Sequence, residues 1–163
     1  MIKIRRYTPE DVPAIKALIQ EIMKREFKED CAAFPSQDLD ALQDSRGKLG
    51  EGFFVAEDKK RIVGTVGVKR EDERVAFLRR IFVDPGYRKR KIGLQLLNRA
   101  IEFCEEVGYQ ELIFKTTSRM TGAIELVQKR GFQSRAKVSM GLIELLKFSY
   151  SLKNHHPRGM KQA

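Results

Sequence analysis

The sequence predicts a single-domain α/β fold, a mixed β-sheet with helices packed on both faces. Three observations carry this. Three strand-like runs, FFVAED, RIVGTVGVKR and RVAFLRRIFV, follow one another mid-chain, separated only by the charged turns KK and EDE, the pattern of an antiparallel meander. Three other segments repeat their apolar residues at helical spacing, one before the meander and two after it. A further strand-like run, ELIFKT, lies between the last two helices, so strands and helices alternate. At 163 residues the chain suits one domain around one sizeable core.

The elements follow in order. IKIRRY alternates Ile2, Ile4 and Arg6 and reads as a short strand. TPEDV is a helix start, with Thr8 as N-cap, Pro9 at the first helical position and acids in the first turn. Val12, Ile15, Leu18, Ile19, Ile22 and Met23 carry that helix to about Lys28. Residues 28–52 are loop-rich, with Ser36 capping a short helical piece around Asp38–Gln43. The acids of KEDCAAFPSQDLDALQD read as a solvated loop, with attraction of a cationic amine as the second reading. After the meander, Ile92, Leu96, Leu97, Ala100, Ile101, Cys104 and Val107 mark one face of a helix that Gly108 stops. Beyond ELIFKT, Ser118 caps a helix bearing Met120, Ile124, Leu126 and Val127, which Gly131 ends. FQSRAKVSMGLIELLKFSYSL supplies two closing strands. Residues 153–163 read as a flexible C-terminal tail, which leaves residues 1–152 as the domain.

Composition narrows the function. Apolar content of 42% and charged content of 33% describe a folded, water-compatible chain. No apolar run reaches the roughly 18 residues a membrane span needs. The N-terminus MIKIRRYTPEDV lacks a signal-peptide core, so the expected location is cytoplasmic. Cys31 and Cys104 are too few for a disulfide framework, and with His155 and His156 they form no ligand cluster, so no metal is expected. The net charge of +10 is local. In residues 79–91 six cations stand against Asp84, leaving +5, and in residues 133–163 six stand against Glu144, leaving +5 again. Local excess points to an anionic ligand or partner. A nucleic-acid partner ranks last, because base stacking needs interleaved aromatics and the chain has no Trp.

The run VDPGYRKRKIGLQLL, residues 83–97, gives the anion a place. Arg88, Lys89, Arg90 and Lys91 stand where a helix begins, an end that already carries partial positive charge and favours an anion. The first backbone N–H groups of a helix lack intrahelical acceptors and form an anion site. Gly93 allows close approach to the backbone. Strand, turn, cations, glycine and buried helix together describe a phosphate-binding loop.

LRRIFVDPGYRKRKIGLQLL resembles the acetyl-CoA-binding segment of the GNAT superfamily of N-acetyltransferases, a strand followed by Arg/Gln-x-x-Gly-x-Gly/Ala at the mouth of a helix. Arg88 matches the leading residue and Gly93 the last small one. TTSRMTGAIELVQKRGF resembles the family's second signature, a helix ending in Lys-x-Gly-Phe, here Lys129–Phe132. IRRYTPEDVPAIKALI and FFVAEDKKRIVGTVGV resemble its first strand, helix and hairpin, so the likeness spans roughly residues 2–132.

The resemblance implies a sheet splayed between the strand at 75–83 and the one at 110–116, with acetyl-CoA as co-substrate in the splay. Its pantetheine arm would pair with the backbone of Ile81, Phe82 and Val83, and its pyrophosphate would rest on the amides of Arg88, Lys89, Arg90, Lys91, Ile92, Gly93 and Leu94. The implied reaction is acetyl transfer to a primary amine by direct attack in a ternary complex. The alternative is a catalytically weak acyl-CoA-binding module of the same fold. The implied partners are a small-molecule or peptide amine and, as an option, a second copy of the chain in a homodimer. Three positions depart from the family pattern: Lys91 replaces its first loop glycine, Phe77 its frequent general-base Glu and Val127 its frequent Tyr acid. Ser118, Tyr150 and Glu57 are the substitutes considered for acid–base work.

Overall fold

In the computed structural model, which describes residues 1–34, 39, 42 and 49–152, the chain runs β1 (Ile2–Arg6), α1 (Val12–Glu26), β2 (Gly52–Asp58), β3 (Arg61–Arg70), β4 (Val75–Val83), α2 (Ile92–Val107), β5 (Glu111–Thr117), α3 (Thr121–Arg130), β6 (Gln133–Met140) and β7 (Ile143–Ser151). Short 3-10 turns at Pro9–Asp11, Lys28–Ala33 and Pro85–Tyr87 join them. The expected α/β class and element order are both present. The helical piece around Asp38–Gln43 with its Ser36 cap, and the tail at 153–163, lie outside the described residues.

The seven strands form one sheet in the order β1-β2-β3-β4-β5-β7-β6. β1 to β4 are the antiparallel meander, with Ile4 opposite Ala56, Val55 opposite Thr65 and Val68 opposite Leu78. Alternation along β2 sorts its residues between two cores. Phe53 and Val55 face α1 with Val12, Ile15, Ile19 and Ile62, whereas Phe54 and Ala56 face α2 with Leu96, Leu97, Ala100 and Ile101. Helices therefore cover both faces.

β4 and β5 run parallel, but they pair only from Val75–Glu111 to Leu78–Phe114, and beyond that the sheet splays open. The cause lies across β4. Its pairing with β3 shifts between Thr65 and Gly67, where Phe82 and Arg79 are the partners, a bulge with an extra residue on β4. Arg80 within it takes φ 53, and the Thr65 hydroxyl donates to its carbonyl at 2.8 Å. A bulge bends its strand and increases the local twist, turning the rest of β4 away from β5.

Some local expectations need correction. α1 ends at Glu26 rather than Lys28. Thr8 caps the preceding 3-10 turn, Pro9–Asp11, rather than α1, whose N-cap is Asp11; the Thr8 N–H donates to Asp11 Oδ2 at 2.7 Å. On α2, Val107 is exposed and Phe103 is buried in its place, because Phe103 stacks edge-on against Phe54 at 5.7 Å. Ser118 does not cap α3. Met120 is the residue before its first turn, and the Ser118 N–H donates instead to the Glu144 carbonyl of β7 at 3.0 Å. Gly108 and Gly131 do end their helices in the left-handed region, at φ 102 and 111. Cys104 is buried among apolar neighbours, which pushes its thiol up to about 12, so it packs as a small apolar side chain.

Candidate active site

The split leaves the second half of β4, Arg79–Val83, without a strand partner on the β5 side. The chain leaves this free edge at Asp84, whose carboxylate accepts from the Gly86 N–H at 2.9 Å and so folds the Pro85–Tyr87 turn. The basic loop comes next. Lys89 and Lys91 are in the left-handed region, at φ 65 and 62, with Arg90 between them at negative φ. Alternation of this kind gathers successive N–H groups into a concave anion nest. The first helical hydrogen bond of α2 runs from Gln95 N–H to the Lys91 carbonyl at 3.1 Å, so the amides of Ile92, Gly93 and Leu94 precede it and lack helical acceptors.

The four cations do different jobs. Arg90 stacks on the Tyr87 ring, 4.9 Å from its centroid, and its guanidinium stays off the cleft wall. Arg61 lies on the same ring at 5.8 Å. The Tyr87 hydroxyl donates to Asp58 Oδ2 at 2.9 Å, which raises the phenol's pKa and lowers that of the carboxyl. Tyr87 thereby ties the loop to the β2–β3 turn. Arg88 bonds the Val83 carbonyl at 3.1 Å and Glu26 of α1 at 2.9 Å, a contact across the mouth of the split. Lys89 and Lys91 line the cleft and have no ion-pair partner among the described residues.

The cleft has a volume of about 760 Å³. One wall is the β4 edge, Ile81–Val83, continuing into Tyr87 to Lys89 and Lys91 to Leu94. The facing wall is the start of α3, Met120 to Ala123 with Leu126 and Lys129, and its floor reaches Ile22, Glu26 and Phe27 at the end of α1. Gly93 is where the two helices meet: a Cβ there would stand 3.2 Å from Leu126 Cδ2 and 3.8 Å from Val83 Cγ2. Of the residues expected to hold a ligand, Ile81, Phe82, Val83, Arg88, Lys89, Lys91, Ile92, Gly93 and Leu94 line this one space.

The acid–base substitutes are not brought together. Tyr150 stacks on Phe132 at 5.1 Å and accepts from Arg130 at 3.0 Å, opposite Leu112 at the far end of β5 from the split. Glu57 accepts from Arg5 at 2.9 Å on the β1 side of the sheet. Ser118 holds β7 through its backbone. Phe77 lies under Lys115, 4.8 Å from the ring centroid, in the paired half of β4. Val127 is fully buried in the α2-side core. None of the five lines the cleft.

Two groups escaped the sequence reading. Glu26 had no signal beyond closing a helix. Asp30 was grouped with solvated loop acids but is fully buried. Its Oδ2 accepts from the hydroxyl of Thr117, the last residue of β5, and its Oδ1 stands 3.2 Å from Arg119 Nε without a hydrogen bond. Among the described residues no group of three or more His, Cys, Asp or Glu could hold a metal ion, and no helix is long and apolar enough to cross a membrane.

The model of the acetyltransferase (GNAT) family matches residues 16–132. An uncharacterised N-acetyltransferase of Methanocaldococcus jannaschii is 34% identical over 103 residues, covering 60% of this chain and 45% of the relative. Human N-acetyltransferase 8 is 33% identical over 89 residues, 52% of this chain and 39% of the relative. The chain thus spans less than half the length of these curated relatives. Among solved structures, a GNAT-family acetyltransferase of Staphylococcus aureus superposes with a TM-score of 0.83 at 25% identity, over 93% of this chain and 99% of that one. A putative acetyltransferase of Salmonella typhimurium, solved with acetyl-CoA, superposes with a TM-score of 0.76 at 20% identity, over 93% and 94%.

Proposed function

The chain belongs to the acetyltransferase (GNAT) family, and on that premise we propose that it transfers an acetyl group from acetyl-CoA to a primary amine by direct attack in a ternary complex. The observation that carries the reading is the free edge of β4 running straight into the nest and helix start at Lys89–Leu94. The residues present suit acetyl-CoA. An amide-bearing pantetheine arm can pair with Ile81–Val83 as an added strand would. A diphosphate suits the amides before Gln95 together with Lys89, Lys91 and Arg88.

Acetyl-CoA supplies an acetyl group activated as a thioester. The chain's part is to hold the thioester against β4, where a strand amide near Val83 stabilises the oxyanion that forms as the amine attacks. With the considered acid–base side chains outside the cleft, positioning and oxyanion stabilisation supply most of the acceleration; the attacking nitrogen loses its proton to solvent, and solvent protonates the departing thiolate.

Titration calorimetry with acetyl-CoA tests this. The expected result is saturable binding that weakens as salt rises and is lost in Gly93→Glu, which puts a carboxylate into the nest and a side chain against Leu126. No binding at millimolar acetyl-CoA overturns the reading. The absence of the considered acid–base residues from the cleft favours a second reading, a weak acyl-CoA-binding module. Saturable binding without thiol release across a broad amine panel would decide for it.

A further inference from the structure

Arg88 adjoins the nest, yet it spends its donors on the protein itself. Its Nε donates to the Val83 carbonyl at 3.1 Å and its Nη1 to Glu26 Oε1 at 2.9 Å. The Val83 carbonyl belongs to the free edge of β4. In an antiparallel pair the polar backbone groups of successive residues point alternately towards and away from the neighbouring strand. The Asp84 N–H turns to β3, donating to the Val63 carbonyl at 2.8 Å, so Val83, opposite Gly64, presents its N–H and C=O on the other side, towards the split. That carbonyl is the acceptor an amide of a pantetheine arm needs if the arm is to lie along Ile81–Val83. The guanidinium of Arg88 stands on it, and Glu26 at the end of α1 holds the guanidinium there. All three residues line the cleft, and the Arg88 and Glu26 side chains are 41% and 30% exposed, so an incoming ligand meets this bridge directly. An ion pair so exposed is weak. Two phosphates in the nest offer the same guanidinium a stronger, bidentate partner.

We propose that Arg88 is a latch that sets donor specificity. Closed, it occupies the free-edge carbonyl of Val83. A diphosphate seated on the amides of Ile92 to Leu94 draws it off and opens the edge to the arm that the diphosphate carries. The proposal rests on the acetyl-CoA part of the acetyltransferase reading. The diphosphate then acts twice, first as an anchor in the nest and then by clearing Val83. An acetyl thioester with the same pantetheine arm and no diphosphate meets a closed edge.

Titration calorimetry with acetyl-CoA and with acetyl-pantetheine, which lacks the diphosphate, tests this without an acceptor amine. Arg88→Met removes the guanidinium and keeps a long side chain. It should weaken acetyl-CoA binding about 10-fold, the worth of a charged hydrogen bond, and tighten acetyl-pantetheine binding about fivefold, the worth of the hydrogen bond that no longer competes at Val83. An arginine that only binds phosphate would give the first change without the second. Glu26→Gln, which loosens the latch but leaves Arg88 for the diphosphate, should tighten both ligands, and it carries the test if Arg88→Met does not fold. Acetyl-pantetheine binding that is absent, unchanged or weakened in a folded Arg88→Met, or in Glu26→Gln, overturns the proposal and leaves the acetyltransferase reading standing. So does a wild type that binds the two donors equally. Failure of the wild type to bind acetyl-CoA at all sinks that reading instead.

Discussion

Lys91 stands where a glycine would be at ease. Its φ of 62 puts a side chain into the left-handed region, which costs about 1–2 kcal/mol. The sequence marks Lys91 as the residue in place of a family glycine, but its reason, crowding of the backbone by a side chain, is incomplete, because a φ angle leaves no trace in composition or spacing. Lys91→Gly should raise stability by about 0.5–1 kcal/mol, strain relief less the added freedom of the unfolded chain, while Lys91→Ala should not. The comparison of melting temperatures checks this, and both variants should bind acetyl-CoA with a shallower salt dependence. Glu26 is the opposite case, a residue with no sequence signal that occupies Arg88. Glu26→Gln should free Arg88 and tighten acetyl-CoA binding by up to about fivefold, the worth of a partly exposed ion pair. Calorimetry showing unchanged or weaker binding would remove Glu26 from competition for Arg88.

At the scale of elements, the strands and helices were legible because burial imposes periods of two and 3.6 on the residues that supply it. Ile92 to Cys104 carries the helical period openly, whereas Phe53 to Ala56, buried on both faces, reads as a strand from its short continuous apolar run. The point where β4 leaves β5 was legible only through the family likeness, since the bulge at Arg80 breaks no hydrophobic pattern. The start of α1 is held by a polar staple. Arg5 bonds both Asp11 oxygens at 2.8 and 3.0 Å and Glu57 at 2.9 Å, joining β1, the helix entry and β2. Arg5 holds the Asp11 carboxyl below the usual carboxylate range. A depressed folded-state pKa gives stability that is present above the ordinary carboxylate pKa and is lost as pH falls through the folded value. At neutral pH Asp11→Asn should cost about 1 kcal/mol after solvent screening, or about 2–4 °C in melting temperature. Melting curves of the two proteins should begin to converge as the pH drops below about 4 and meet only below the depressed folded-state value. A constant gap across that window would mean that Asp11 acts through shape alone.

For the whole molecule, the split divides the sheet into a four-strand body, β1 to β4, and a three-strand body, β5 to β7, joined by the short Val75–Leu78 ladder and covered by α2 and α3. A ligand that bridges β4 to the start of α3 clamps the two bodies together. Acetyl-CoA at 100 times its Kd should therefore add about 2.7 kcal/mol, a rise of about 5–10 °C in melting temperature. A scan showing no shift at a concentration that saturates calorimetric binding would indicate equal affinity for the unfolded chain. One of the two outer edges of the sheet is β6, exposed along its whole length and bearing Arg135 and Lys137, charges of the kind that discourage another strand from pairing there. The free half of β4 is an edge of another sort, because it lies inside the sheet. A strand that is part of another sheet would bring neighbouring strands with it, into the space that the start of α3 and the basic loop border. A lone flexible chain, one backbone wide, passes between them. The split thus works as a sieve by thickness, keeping a hydrogen-bonding edge open to thin ligands while denying it to the strand exchange that seeds aggregates.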